Sequence, residues 1–145
     1  MIEATYTHIG LCVSNIERSR AFYEGLLGFR FVRELRNKGS DVQDRFLQLK
    51  DVNLHAVFLQ KNGLELELLS FAHPSVKLGP RRAMNDAGLT HISLRVADVP
   101  KALEGVKAAG GEVIDSTRVR DTACFIRDPD GQLIELVAAS APAGH

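Results

Sequence analysis

Short stretches in which hydrophobic and polar residues alternate recur along the chain and predict a fold rich in β-strands. In the first of them, residues 6–13, Ile9, Leu11 and Val13 share one face, because successive side chains of a strand point to opposite sides. A similar stretch begins at His91. The same pattern predicts further strands at about 29–36, 45–50, 53–60, 64–70, 112–118, 121–127 and 132–138.

A helical pattern follows the first strand of each half. Ser14 and Glu17 fit a capping box at the start of the first helix, and Gly28 can end that helix. Asp98 can cap the second helix, which the glycine pair at 110–111 ends. Each half is therefore expected to begin as strand, then helix.

The two halves repeat each other. The first contains His8 in a strand and later Glu67 followed by leucines, and the second contains His91 and later Glu135 followed by aliphatic residues. The His-to-Glu spacing is 59 residues in the first half and 44 in the second, so the first half needs longer loops. This predicts a duplicated module inside one domain of 1–145, with module 1 at about 5–72, a connector at about 73–88 that can hold one short helix, module 2 at about 89–139 and a flexible tail at 140–145.

Composition is typical of a soluble globular protein and excludes several functions. The 145 residues include 18 Lys+Arg and 18 Asp+Glu, and a chain without basic excess is not expected to bind nucleic acid. No apolar run approaches a bilayer span and no secretory signal precedes the first strand, so we expect a cytoplasmic protein with no membrane partner. Cys12 and Cys124 lie in apolar stretches and are expected to be reduced and buried.

Four side chains form the candidate metal-binding site. By strand parity His8, Glu67, His91 and Glu135 each lie on the row opposite the aliphatic residues of their strand. If the four strands belong to equivalent sheets, these rows line one concave surface with two imidazoles and two carboxylates. Such a set suits one divalent first-row ion and leaves positions open for water or a chelating substrate.

Four further residues are candidates for substrate contact. Cys12, Ser93 and Arg95 share a row with one of the two histidines. Arg95 could instead form a structural ion pair, and the parity of His55 relative to the candidate metal ligands is not fixed by the sequence. The expected partner is a small-molecule substrate.

With these strands, helices and candidate ligands, the sequence resembles the vicinal oxygen chelate superfamily. This superfamily includes glyoxalase I, methylmalonyl-CoA epimerase, extradiol dioxygenases, and the bleomycin and fosfomycin resistance proteins. The resemblance covers about residues 5–139 and is closest to glyoxalase I-like members. Its segments are HIGLCV from His8, FYEGLLGF from Phe22, LELL from Leu66, HISLRV from His91, AAGG from Ala108 and FIRDPDGQLIEL from Phe125.

The resemblance implies an α+β fold of two tandem βαβββ modules that form a curled mixed sheet around a metal-binding cup. It implies that His8, Glu67, His91 and Glu135 are the ligands of one divalent ion (Ni, Co, Zn, Mn or Fe). It also implies a homodimer, with the site formed within one chain or across two.

The implied activity is that of a metal-dependent lyase or isomerase, similar to lactoylglutathione lyase, which moves a proton next to a metal-chelated carbonyl through an enediolate or enolate. Glu135 is the expected base and Glu67 the second candidate. Cys12 stands where glutathione-using bacterial relatives carry Arg, so glutathione recognition does not follow. Two alternatives stay open: a non-haem Fe(II) dioxygenase of the extradiol type, and an antibiotic-binding resistance protein without catalysis.

Overall fold

The structure, a computed structural model, describes residues 1–141, and residues 142–145, which form most of the predicted tail, lie outside the described part. The chain divides into two units, Met1–Leu78 and a second that begins at Gly79. Each unit contains one mixed four-stranded sheet and few helices, which confirms the predicted α+β class with two βαβββ modules. In residues 1–141 no helix has both the length and the apolar character that a membrane span requires.

The first unit contains the elements β1 (Ile9–Cys12), α1 (Ile16–Arg20), which continues as a π-helical segment (Ala21–Leu26), β2 (Arg30–Lys38), α2 (Asp41–Leu47), β3 (Asn53–Lys61) and β4 (Leu64–His73). Its strands form a sheet with the order β1-β4-β3-β2. β1 runs parallel to β4, and the other two pairings are antiparallel. β3 and β4 are joined by a turn at Asn62 and Gly63, where both residues have positive φ, as a tight hairpin requires.

The second unit contains the elements β5 (His91–Val96), α3 (Val99–Ala108), β6 (Glu112–Val113), a 3₁₀ turn (Asp115–Thr117), β7 (Ala123–Arg127) and β8 (Leu133–Ala138). Its sheet repeats the order of the first as β5-β8-β7-β6, again with one parallel and two antiparallel pairings. Leu103 and Val106 of its helix are buried, together with Ile126, Ile134 and Leu136 of its sheet.

The helix caps agree with the sequence pattern in one unit and differ in the other. Asp98 accepts a hydrogen bond from the backbone N–H of Lys101, as predicted. In the first unit the predicted cap at Ser14 is wrong, because Asn15 accepts from the N–H of Arg18. The Ser14 hydroxyl instead accepts from the guanidinium of Arg18. Because Asn15 is the cap, the helix starts one residue later than predicted.

The predicted strand at 45–50 is wrong, because this segment belongs to α2 and the turn after it. Ser40 caps the helix by accepting from the N–H of Gln43. The helix ends at Gln48, which is left-handed with φ of 55°. Both edges of β3 are occupied, by β2 and by β4, so no open edge of that strand is available to a segment at 45–50.

Two other predictions differ from the structure. The strand predicted at 112–118 is reduced to the two residues of β6, because a 3₁₀ turn at Asp115–Thr117 interrupts the backbone pairing with β7. There the N–H of Phe125 donates to the side-chain hydroxyl of Thr117. Residues 74–88, all of them described, contain turns and no helix. Arg82 explains this, because its guanidinium donates to the carbonyls of Asp86, Ala87 and Leu89 and holds the segment in an irregular path.

Strand parity separates a buried face from a more polar one in each sheet. Leu66 and Leu68 are fully buried on one face of the first sheet, as the alternation predicts. Cys124 is buried, but the prediction that Cys12 is buried is wrong. Cys12 lies on the edge strand β1 and on the face opposite the leucines, so its side chain is exposed.

Candidate functional site

A histidine and a glutamate form a pair on the polar face of the first sheet. His8 immediately precedes β1, and Glu67 lies on the parallel neighbour β4. His8 Nε2 is 3.2 Å from Oε2 of Glu67, whose side chain is 14% exposed. The other ring nitrogen, Nδ1, is 3.2 Å from the hydroxyl of Thr7. With the proton on Nδ1, the ring donates to Thr7 and the Nε2 lone pair is available to a cation beside Glu67.

Phe58 of β3 packs against the imidazole ring of this pair. Its ring meets the His8 ring edge-to-face, with the centroids 5.5 Å apart. Strand register aligns one residue from each strand of the sheet into what we call the first row: Gly10, Glu67, Phe58 and Arg33. The first row therefore carries the carboxylate, the supporting aromatic ring and a cation on one face.

The second sheet repeats this arrangement. His91 Nε2 is 3.9 Å from Oε2 of Glu135, and His91 Nδ1 is 2.9 Å from the hydroxyl of Thr90. Phe125 meets the His91 ring edge-to-face at 5.4 Å. Register aligns Ser93, Glu135 and Phe125 into the second row. The two units are alike beyond the ligand candidates. In each of them a threonine precedes the histidine, and a phenylalanine of the sheet contacts the imidazole ring.

Glu67 lies in an environment that disfavours its charged form. Burial raises the pKa of Glu67 above its ordinary value, and the charge of Glu65 acts in the same direction. His8 and Arg33 oppose this increase. A nearby positive charge stabilises the charged form of such a carboxylate, and a bound divalent cation would supply that charge.

The chemistry of both pairs fits a divalent cation. Each pair offers one imidazole nitrogen and one carboxylate oxygen, donors that suit borderline to hard first-row ions. In residues 1–141, neither unit adds a third His, Cys, Asp or Glu side chain that would complete a metal-binding group with its pair. The four-ligand set remains a prediction, and the structure brings its members together as two pairs.

The four predicted substrate contacts have different surroundings. Ser93 donates a hydrogen bond of 2.6 Å to Oε2 of Glu135. Arg95 donates to the backbone carbonyls of Ala138 and Ala141, not to a carboxylate. Cys12 is exposed on the same face as Gly10. His55 lies on the opposite face from Phe58, in register with Arg36, and its Nε2 is 3.0 Å from Glu34.

A cavity of about 450 Å³ adjoins the second pair. Glu135 and Phe125 form part of its wall, so the carboxylate faces a space large enough for a small organic molecule. The remaining lining residues are small or apolar: Thr117, Val119, Thr122, Ala123, Cys124, Ser140 and Ala141.

Sequence reasoning missed the residues that support the candidate ligands. Thr7 and Thr90 directly precede the two histidines, and this repeated Thr-His dipeptide is a signal that the alignment of the halves contains. Phe58 and Phe125 could not be found in the same way, because their partnership with the histidines depends on strand register. The repeat of the two halves does not indicate Arg33 as a candidate either.

Comparisons with known proteins agree with this fold. A family model described as the Glyoxalase/Bleomycin resistance protein/Dioxygenase superfamily matches residues 5–136. A lactoylglutathione lyase from Haemophilus influenzae is 28% identical over 134 residues, which cover 90% of this chain and 89% of that protein.

Two solved structures share the fold at lower identity. A glyoxalase family protein from Bacillus cereus has a TM-score of 0.80 at 17% identity, with 95% of each chain covered. The fosfomycin resistance protein FosX from Listeria monocytogenes, complexed with Mn(II) and sulfate, has a TM-score of 0.64 at 19% identity, with 96% of this chain and 95% of that chain covered. The family match spans both repeated modules, and the chain belongs to the Glyoxalase/Bleomycin resistance protein/Dioxygenase superfamily.

Proposed function

We propose that this protein is a divalent-metal-dependent lyase or isomerase of the glyoxalase type. His8, Glu67, His91 and Glu135 bind one metal ion, and the substrate is a small α-oxygenated carbonyl compound. Supporting this proposal is the match between the two pairs: in each sheet the histidine lies two residues before the strand position that is in register with the glutamate. A fold duplicated for packing alone does not require matched polar side chains at these points.

The reaction is a proton transfer between neighbouring carbons. His8, Glu67, His91 and Glu135 would hold the divalent cation, and a cation held there would polarise the carbonyl and stabilise the negative charge that develops on its oxygen. A carboxylate oxygen of Glu135 takes the proton from the carbon next to the carbonyl, and the C–H electron pair moves to form an enediolate. The same carboxyl group returns the proton to the former carbonyl carbon, while the hydroxyl proton of the first carbon moves to the former carbonyl oxygen. The hydroxyl and carbonyl groups thereby exchange places, and no oxidant is consumed. Glu67 is the second candidate for this role.

His8 and His91 have a different part in the proposal. Their Nδ1 atoms are hydrogen-bonded to Thr7 and Thr90, and both rings pack against phenylalanine. These contacts restrict ring rotation, so the histidines act as fixed ligands while a carboxylate moves the proton. We also propose a homodimer, in which the four ligands belong to one chain or to two copies.

The decisive experiment combines metal analysis with turnover. The full chain is stripped with a chelator, reconstituted separately with Ni, Co, Zn, Mn and Fe(II), and assayed with the hemithioacetal of methylglyoxal and a thiol. We expect about one tightly bound ion per predicted four-ligand set and formation of the thioester. His91→Ala and Glu135→Ala should each lose most of the metal affinity, whereas His73→Ala, at a histidine bonded to the carbonyl of Asp51, should not.

Other outcomes identify the alternatives. Turnover of catechols with Fe(II) and O₂, but not with Ni, Co or Zn, would indicate an extradiol-type dioxygenase. Stabilisation by an antibiotic without turnover, unaffected by chelators, would indicate a binding protein. Failure of the purified chain to bind any of the five ions refutes the proposal.

A further inference from the structure

Arg33 lies beside the His8–Glu67 pair without belonging to it. This residue of β2 is in register with Phe58, which is in register with Glu67. Its guanidinium carbon is 3.6 Å from the centroid of the Phe58 ring, the same ring that supports His8. One aromatic ring therefore holds a cation and a candidate metal ligand on the same face of the sheet.

The guanidinium is held in place and remains accessible. Nη1 lies 2.8 Å from Oε1 of Glu65, and the Arg33 side chain is 50% exposed. A guanidinium has five N–H donors in a planar fork that matches two oxygens of an oxyanion. The contact with Glu65 uses one nitrogen, so donors remain for a ligand on the exposed side.

The second unit has no cation at the equivalent position. There the residue beyond Phe125 in the row is Ile114, whose backbone N–H donates to the Phe125 carbonyl at 3.0 Å. The two rows match in their carboxylate and aromatic ring but differ at this end. Structural duplication alone does not explain an arginine that only one copy carries.

We propose that Arg33 binds a carboxylate of the substrate, so that the substrate class is a small α-oxygenated carbonyl compound with a further carboxylate. This inference rests on the proposed function, because it places the anionic group beside the ligand pair that binds the oxygens next to the reacting carbon. The charge-assisted, bidentate contact selects anionic over neutral compounds of the same size.

The test compares matched probes, with and without a second carboxylate, on the Mn²⁺-loaded full chain. Tartronate, 2-hydroxysuccinate and 2-hydroxyglutarate each offer a vicinal hydroxyl and carboxylate plus a second carboxylate at increasing distance. The matched monoamide of each keeps the first carboxylate and carries an uncharged amide in place of the second. Calorimetric titration should show that at least one acid binds about tenfold more tightly than its amide. In Arg33→Met, which keeps an unbranched stem over Phe58, this ratio should fall to about one.

Arg36→Met is the control, because Arg36 lies on β2 and alternates to the opposite face. It should keep the preference of the unmodified chain, and Arg33→Lys should keep part of it. Equal binding of acid and amide by the unmodified chain for all three pairs, or a preference that persists in Arg33→Met, overturns the proposal.

Mn²⁺ affinity, measured without any probe, separates this inference from the proposed function. Arg33→Met should still bind Mn²⁺ tightly, because Arg33 is not one of the four proposed ligands, whereas Glu67→Ala should lose most of the affinity. A chain that binds no Mn²⁺ or other divalent ion refutes the proposed function. The same probe pairs on the metal-free chain then decide the role of Arg33.

Discussion

Ser93 donates a 2.6 Å hydrogen bond to Glu135, whereas Gly10 occupies the matching position beside Glu67. The two carboxylates are therefore equivalent in register and unequal in bonding. Ser93 restricts Oε2 of Glu135 to one orientation, so this carboxylate is held in place for a metal ion. Gly10 has no side chain to do the same for Glu67.

Removing the Ser93 hydroxyl should weaken metal binding. In Ser93→Ala the Glu135 carboxylate loses its fixed partner, and the affinity for Mn²⁺ should fall about tenfold, the lower end for loss of a group that orients a metal ligand. Competition with a chromophoric chelator measures this affinity. Ser93→Thr keeps the hydroxyl and should restore most of it, which a purely steric role of Ser93 does not predict.

Installing the same hydroxyl in the first unit is the reciprocal change. A Cβ at Gly10 would lie 3.7 Å from Oε2 of Glu67 and 3.2 Å from the flexible end of Leu69, so Gly10→Ser needs only a small shift of Leu69. With Co²⁺ bound, the visible absorption spectrum should change in both Gly10→Ser and Ser93→Ala, because each alters how one carboxylate is oriented. Unchanged spectra in both would contradict the assigned roles.

The threonines before the histidines should control metal affinity through the imidazole rings. Thr90→Val removes the hydroxyl that holds His91 Nδ1 at 2.9 Å while keeping the side-chain shape. We expect about a tenfold loss of Mn²⁺ affinity, and a similar loss in Thr7→Val. Thr90→Ser should bind Mn²⁺ nearly as the unmodified chain does. Full affinity in both valine variants would show that the rings need no such partner.

Stability of the metal-free chain should depend on pH through Glu67. Its pKa is raised by burial above the ordinary value of 4.5, so the unfolded state releases this proton at lower pH than the folded state. The contribution of Glu67 to the free energy of unfolding should therefore fall as pH rises through 4.5 to the raised pKa.

Glu67→Gln lacks this ionisation. Relative to the unmodified chain, the Glu67→Gln substitution should raise the free energy of unfolding more at about pH 7 than at about pH 3. Urea unfolding at both pH values, in the presence of a chelator, measures the difference. A difference of the opposite sign would mean that the attraction of His8 and Arg33 outweighs burial.

Asp44 should stabilise the insertion that distinguishes the first unit. Its two carboxylate oxygens accept from the N–H groups of Asp51, at 2.7 Å, and Val52, at 3.0 Å, and join α2 to the start of β3. Asp44→Ala should lower the free energy of unfolding by about 2 kcal/mol, since it removes two hydrogen bonds to a charged acceptor. Asp41→Ala, in the first turn of the same helix, should cost only about 0.5 kcal/mol. Urea unfolding compares them, and equal losses would contradict the specific role of Asp44.

The repeat and the strand alternation were sufficient to predict much of the fold. Alternation places Leu66 and Leu68 on the face opposite Glu67 whatever the rest of the chain does, because side-chain direction along a strand is a local property. The cap at Asp98 is equally local, since its hydrogen bond spans three residues. For the same reason, two His–Glu candidates could be identified by their position in the repeat.

Only tertiary structure decided which strands are neighbours, and several assignments depend on that. Residues 45–50 alternate like a strand, yet residues 45–47 belong to a capped helix, and both edges of β3 are occupied by β2 and β4. Phe58 and Arg33 reach the first row through register alone, which depends on pairing between residues distant in sequence. A sequence determines the side on which a residue points along its own strand, whereas its neighbours across the sheet are fixed by long-range hydrogen bonding.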